Sequence, residues 1–228
     1  MADRSHDRLS ERSVTRWQTE NKILGETKTS FRKPIFKGEG VVDGGEMSTQ
    51  KSVRQQADEV EENPIRLDTE KAEQVIDALN TDLSNLYVIY HQLKKHHWNV
   101  EGAEFRDLHL FLEEAYEHAE EHADVIAERA QAIGGVPVAG PSNLEERATV
   151  EFEGEDVYDV RTSLSNDLEI YAETVERMRE HVQLASDLGD YGSEEILREA
   201  LVEIEDDAHH FHHYLEDDSL VVEEAVHK

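Results

Sequence analysis

Between positions 96 and 128 the chain spaces histidines and carboxylates at intervals that a helix would bring onto shared faces. His96-His97-Trp98-Asn99-Val100-Glu101-Gly102 is followed by Phe105, His109 and Glu113, and then by Asp124 and Glu128. His109/Glu113 and Asp124/Glu128 are i, i+4 pairs, so on a helix each pair shares a face. Two imidazoles with one carboxylate and open positions suit Fe(II). At about 100° per residue, with His109 at zero, Glu113 falls at about 40°, Asp124 at about 60° and Glu128 at about 100°. The apolar positions of the same segment centre at about 270°, so the polar set turns out of its own bundle. His109 and Asp124 are fifteen residues apart, a rise of about 22 Å. The two pairs share an ion only if a second copy of the helix packs antiparallel across a two-fold axis, which would make two equivalent inter-subunit sites. The alternative is a solvated acidic stripe, which a chain this rich in acid produces by chance.

A second cluster lies near the C-terminus, where Asp206/His209/His213 and Glu203/Asp207/His210 fall at helical spacing. Asp206, His209, His210 and His213 are read as a further metal site, with an exposed polar face as the alternative. His122 falls close to the apolar face and reads as a packed histidine; His118 reads as exposed, and Tyr158 receives no role. A di-iron oxidase inside one bundle would need inward Glu-x-x-His motifs on two helices. Asp206-x-x-His209 is the nearest approach and has no counterpart.

Four helical patterns position these residues. Asp68 offers an N-cap, and Ala72, Ile76, Leu79, Leu83, Leu86, Tyr90 and Leu93 then form one stripe that ends at Asn99-Val100-Glu101-Gly102. The second helix is expected from about Glu104 to Ile133, its apolar face Phe105, Leu108, Leu112, Ala115, Ala119, Ile126 and Ala130, stopped by Gly134-Gly135-Val136-Pro137. After some 20 residues with a short alternation at Val150 and Phe152, a third is expected from near Asp156 to Leu188. Ser193 caps a fourth that runs to Leu215, with Glu194 and Glu195 in its first turn. Short, long and short connections describe an all-α four-helix bundle with one crossover between helices two and three, the ferritin-like connection. An up-down bundle with a slack loop is the alternative.

Composition narrows the classes further. The 228 residues contain no cysteine, so disulfides, thiolate metal sites and cysteine nucleophiles are excluded. No apolar run reaches membrane-helix length and the N-terminus has no apolar leader, so the expected location is cytoplasmic. The net charge is −30, but residues 1–46 carry 9 Lys/Arg against 8 Asp/Glu, whereas residues 47–228 carry 14 against 45. Residues 1–46 therefore read as a disordered extension or as sequence upstream of a true start at Met47. Residues 47–63 read as a flexible tail, 64–218 as the bundle and 219–228 as a C-terminal tail. Such an acidic body repels itself at low salt and is screened at about 3 Å in molar salt, which suits a halophilic cytoplasm. An ordinary acidic protein is the alternative.

The pattern His97-Trp98-Asn99-Val-x-Gly102-x-x-Phe105-x-x-x-His109-x-x-x-Glu113, closing on Asp124-x-x-x-Glu128-Arg129 and Gly134-Gly135, resembles the Dps-like miniferritins. The acidic body resembles their haloarchaeal versions, over roughly residues 64–218. The resemblance implies a hollow dodecamer of ferritin-like bundles that oxidises Fe(II), typically with hydrogen peroxide, and stores ferric mineral. It implies ferroxidase centres at two-fold interfaces, with His97, His109 and Glu113 from one subunit and Asp124 and Glu128 from its partner. Many relatives have Asp at the Glu113 position. Trp98 would quench radicals or serve as a packed anchor, and His96 would be a neighbour of the ligands. Acidic three-fold pores in the family place Asp187, Asp190, Glu194 and Glu195 near an iron entrance, of which Asp190 and Glu194 are candidate ligands; favourable helix N-terminal charge explains the glutamates equally well. Family DNA binding uses a Lys-rich tail, whereas residues 47–63 offer only Lys51 and Arg54 against Asp58, Glu59, Glu61 and Glu62. Direct DNA binding is not expected. The rival function is a non-enzymatic, nucleoid-associated structural oligomer.

Overall fold

The computed structural model describes residues 52–216. The expectations for residues 1–46, a start at Met47 and the tail 219–228 lie outside them. The described elements are α1 (Thr69–Asn99), α2 (Phe105–Ala132), α3 (Pro141–Arg147), α4 (Val160–Leu188) and α5 (Tyr191–Leu215). α1, α2, α4 and α5 are the four expected long helices. Asp68 caps α1 by accepting from the backbone N–H groups of Glu70 and Lys71. The third long helix begins four residues later than expected, because the Asp159 side chain caps it at Thr162. The fourth begins at Tyr191, because Asp190 supplies the cap through the Ser193 N–H.

Helix α1 packs on α2 and α4, α4 on α5, and α2 on α5. His96 meets Asp167 and Asp82 meets His181, so α1 and α4 run antiparallel. Short links reverse the chain from α1 to α2 and from α4 to α5, so α2 and α4 are parallel and the connection between them must span the bundle. This is the ferritin-like four-helix bundle with its long crossover. The core holds the α1 stripe, of which Tyr90 is half-buried and the rest buried, and the buried α2 positions Leu108, Leu112, Ala115, Ala119, Ile126 and Ala130. Phe105, expected on that face, is exposed and instead stacks on His109, with ring centres 5.1 Å apart.

The crossover is held in place by three buried amides of α1. Asn80 accepts from the Val138 N–H at 2.9 Å, Asn85 from that of Thr149 at 2.8 Å and Gln92 from that of Glu153 at 3.1 Å. Each satisfies backbone that an irregular segment would otherwise leave unpaired. The crossover therefore runs alongside α1 in the same direction. It contains one helix not expected from the sequence, α3, which opens on Gly140-Pro141 and buries Leu144 against the core. Val150 and Phe152, which alternate, pack on the core without forming a strand.

Before α1, the chain is tied to the end of α2. Glu61 N–H and Gln55 Nε2 both donate to the Gly134 carbonyl, at 2.9 and 2.8 Å. Gly134 sits at φ 100°, and a Cβ there would lie 2.1 Å from the Glu61 carbonyl oxygen.

Candidate metal centre

His97 ends α1 and His109 opens α2, and the tight link between them lays their rings face to face, with centres 3.7 Å apart and planes 18° from parallel. Nδ1 of His97 lies 2.9 Å from the His109 carbonyl oxygen, and Nδ1 of His109 lies 3.0 Å from the His97 carbonyl oxygen. A carbonyl can only accept, so each Nδ1 carries the proton and each Nε2 keeps its lone pair. Two half-buried imidazoles are thus fixed in the tautomer that binds metal. Glu113 follows one turn after His109, half-buried, and accepts from Tyr116 Oη at 3.4 Å.

Aromatic rings back this group. Tyr116 stands edge-on to His97 at 5.4 Å and to Tyr90 at 5.8 Å, and the Lys94 ammonium lies 4.1 Å from the Tyr116 ring centre. Burial, with Lys94 opposing and the acids of Glu113 and Glu117 adding, raises the Tyr116 phenol, which stays a donor to Glu113.

Asp124 and Glu128 are not brought to the histidines. Both are exposed on α2, on the far side of the roughly 22 Å rise. Among the described residues, no group of three His, Asp or Glu side chains is gathered around an ion-sized space. One chain therefore presents two imidazoles and a carboxylate at one end of α2 and two outward carboxylates towards the other.

His96 faces the opposite way. It is 5% exposed, with Nδ1 2.8 Å from Asp167 and Nε2 2.5 Å from Glu153. Burial opposes its protonation, but the two carboxylates outweigh burial and raise its pKa. Glu153 also accepts from Lys95 at 2.6 Å and Asn166 at 2.7 Å. Its burial is outweighed by these donors, which lower its pKa. The network ties the crossover to the end of α1 that carries His97.

Trp98 is 70% exposed and borders an open apolar groove of about 500 Å³ with Tyr87, Val88, Leu144 and Phe152, so within one chain it anchors no core. Asp190 caps α5 and pairs with Arg129 at 2.5 Å, and Glu194 pairs with Arg198. His209 and His213 are exposed, with their Nε2 atoms 3.1 Å apart, and Asp206 lies 3.9 Å from His210. His118 and His122 are both half-buried and paired with α5 carboxylates; only their i, i+4 spacing hinted at this from the sequence.

A ferritin-like domain model matches residues 76–221. The chain is 62% identical over 181 residues to a DNA protection during starvation protein of Halobacterium salinarum, covering 79% of this chain and all of that one. It is 35% identical over 176 residues to a nutrient stress-induced DNA-binding protein of Nostoc, covering 77% of this chain and 96% of that one. An archaeal Dps homologue from Halobacterium salinarum superposes with a TM-score of 0.75 at 62% identity, over 78% of this chain and 99% of that one. The Dps protein of Vibrio cholerae, described as a member of a broad superfamily of ferritin-like diiron-carboxylate proteins, superposes at 0.64 with 28% identity, over 68% and 97%. With the bundle, its crossover and the paired histidines in place, the chain belongs to the ferritin-like family and, within it, to the Dps-like miniferritins.

Proposed function

We propose that this protein is an iron-storage and detoxification protein: a ferroxidase that takes Fe(II) at inter-subunit centres, oxidises it with hydrogen peroxide and keeps the ferric product inside a hollow dodecamer. The observation that carries the reading is the stacked His97–His109 pair, with both Nδ1 protons committed to backbone carbonyls and both Nε2 lone pairs available. Glu113 adds a carboxylate, and Asp124 and Glu128 of a two-fold partner complete the donor set. The exposed Asp124/Glu128 stripe and the open groove beside Trp98 support a partner copy there.

Iron is the substrate and cargo. Two ferrous ions give two electrons to one peroxide, its O–O bond breaks, and with two waters the products are two ferric oxyhydroxide units and four protons. No hydroxyl radical is released, because both electrons are delivered together. The protein's own part is to hold the ions adjacent on imidazole and carboxylate and to accept the departing protons at carboxylates. Asp206, His209, His210 and His213, with Asp190 and Glu194, are secondary proposals for ferrous ions in transit. At Asp190 and Glu194 the ion would compete with Arg129 and Arg198.

The relatives' names speak of DNA protection and DNA binding. For this chain we propose protection through removal of iron and peroxide without direct contact. Residues 47–63 carry two basic against four acidic side chains, and high salt weakens phosphate contacts. Retarded migration of DNA at working salt would overturn that part.

The deciding experiment is anaerobic Fe(II) titration of the assembly followed by peroxide, read as ferric absorbance, in wild type and Asp124→Ala/Glu128→Ala. Stoichiometric binding and fast oxidation lost in the variant support the shared centre. Equal rates in both make the stripe a solvated acidic face and move the structural-oligomer reading ahead.

A further inference from the structure

On the seam between α2 and α5, away from the His97–His109 pair, two histidines one turn apart face two carboxylates one turn apart. His122 Nε2 lies 2.7 Å from Glu203 Oε2, and His118 Nε2 lies 3.5 Å from Glu203 Oε1. Both Nε2 atoms therefore converge on one carboxylate. The other nitrogen of His118 is committed: Nδ1 lies 3.2 and 3.3 Å from the two oxygens of Asp207, which also accepts from Tyr171 Oη at 3.4 Å. Asp207 is 3% exposed, Tyr171 is fully buried, and both belong to the rigid interior. A carboxylate behind a histidine fixes the tautomer with the proton on Nδ1 and presents Nε2 as a lone pair. The 3.5 Å between His118 Nε2 and Glu203 Oε1 leaves these two atoms without a hydrogen bond to each other and open to a cation between them.

We propose that His118, His122 and Glu203 form a second divalent-cation site within each subunit, with Asp207 as the residue that orients His118. Two imidazoles and one carboxylate with remaining positions open to water select a first-row divalent ion such as Co(II), Zn(II) or Fe(II) over Mg(II) or Ca(II). As they stand the three donors do not enclose an ion-sized space, but they fall short of one by little. Ligands at about 2.1 Å from a metal sit about 3.0–3.4 Å from one another when adjacent. The His118–Glu203 separation is near that range, and the His122–Glu203 pair has to open by a few tenths of an ångström. Glu203 supplies that movement, because its side chain is 41% exposed, whereas His122 is 14% and His118 24% exposed. As placed, the His122–Glu203 hydrogen bond closes two of the donors on each other, and an entering ion replaces it. Unlike the proposed ferroxidase centre, this site draws on one subunit alone and does not depend on that reading.

The test is anaerobic Co(II) titration of the intact assembly in molar salt, in a background carrying His97→Gln/His109→Gln, Asp124→Ala/Glu128→Ala and His209→Ala/His213→Ala, which removes the competing centres. The expected result is one stoichiometric Co(II) per subunit, with X-ray absorption showing two imidazoles on the metal. Glu203→Gln and His122→Gln, both near the surface, should each weaken binding by at least about 10-fold while circular dichroism and assembly size stay unchanged. Asp207→Asn should weaken it by about 10- to 100-fold, as for other orienting carboxylates. Absence of stoichiometric binding in the background, fewer than two imidazoles on the metal, or affinity indifferent to Glu203→Gln overturns the proposal.

Discussion

Removal of the Glu153 carboxylate tests whether the crossover is fastened to the end of α1 that carries His97. Glu153 accepts from Lys95, His96 and Asn166, and its side chain is only 8% exposed. Hydrogen bonds to a charged group contribute about 1.5–3 kcal/mol each, but three on one carboxylate do not add. Removing one partner of a buried pair costs about 3–5 kcal/mol, because the other charge stays behind unpaired. His96 keeps Asp167 and Lys95 keeps the Gly154 carbonyl, which holds the cost inside that range. Glu153→Ala should therefore lose about 3–5 kcal/mol. Glu153→Gln, which keeps an acceptor, should lose about 1–2 kcal/mol. The pKa of Glu153 is lowered from 4.5, so its stabilisation is present above that value and is lost as pH falls through the lower folded value. The gap between wild type and Glu153→Gln should close in acid. Urea unfolding at one fixed subunit concentration and one fixed salt gives the energies. Hydrogen exchange of residues 149–156 gives their location. A loss below about 1 kcal/mol for the alanine variant, or a glutamine gap that stays constant into acid, refutes the fastening.

Further consequences follow from single positions. Gly134→Ala places a Cβ against the Glu61 carbonyl at a positive φ, so it should cost about 1–3 kcal/mol and speed proteolysis within residues 52–66 while α2 itself persists. Ile126→Ala empties a fully buried site between α2 and its neighbours and should cost about 2–5 kcal/mol in the same urea assay. Asp82 is fully buried and its pKa is raised by that burial against the opposing pull of His181, so its ionised form burdens the fold. A raised folded value means stability is gained as pH falls through it, so any advantage of Asp82→Asn at neutral pH should shrink on acidification. Tyr116→Phe removes the donor to Glu113 but not the ring that backs His97, so ferrous binding should weaken several-fold with little change in urea midpoint.

The four long helices were legible because each carries its own apolar period and its own stop signals. Leu79, Leu83 and Leu86 repeat at 3- and 4-residue steps, and all are buried against the core. The connection order was legible from loop lengths alone. What escaped was polar and long-range. Asn80, Asn85 and Gln92 look like ordinary surface amides in the sequence, yet they hold the crossover through backbone bonds to residues 56–64 positions away. Helix α3 escaped because seven residues with one buried leucine carry no period. The start of α4 was misplaced because Asp156 and Asp159 are equally good caps on paper, and only the Thr162 contact chooses between them.

The chemistry divides along the same line. His97 and His109 are twelve residues apart across a short link, so their pairing is a local consequence of where α1 ends and α2 begins, and the resemblance to the Dps-like miniferritins pointed to it. Asp124 and Glu128 are exposed and lie on the far side of a rise of about 22 Å along α2, so one chain does not bring them to the histidines, and the proposed centre calls on another copy. His118 and His122 sit between these extremes. Their partners Glu203 and Asp207 belong to the same chain but lie 81–89 positions later, on a helix whose rotation about its axis the sequence does not report. A histidine near an apolar face reads as packed, and one turned further out reads as exposed. Two of them one turn apart, opposite two carboxylates one turn apart, become a donor set only when α2 and α5 are laid antiparallel. The difference between a packed histidine and a ligand was therefore fixed by helix pairing, and an ion titration that separates this seam from the inter-subunit centre measures that pairing directly.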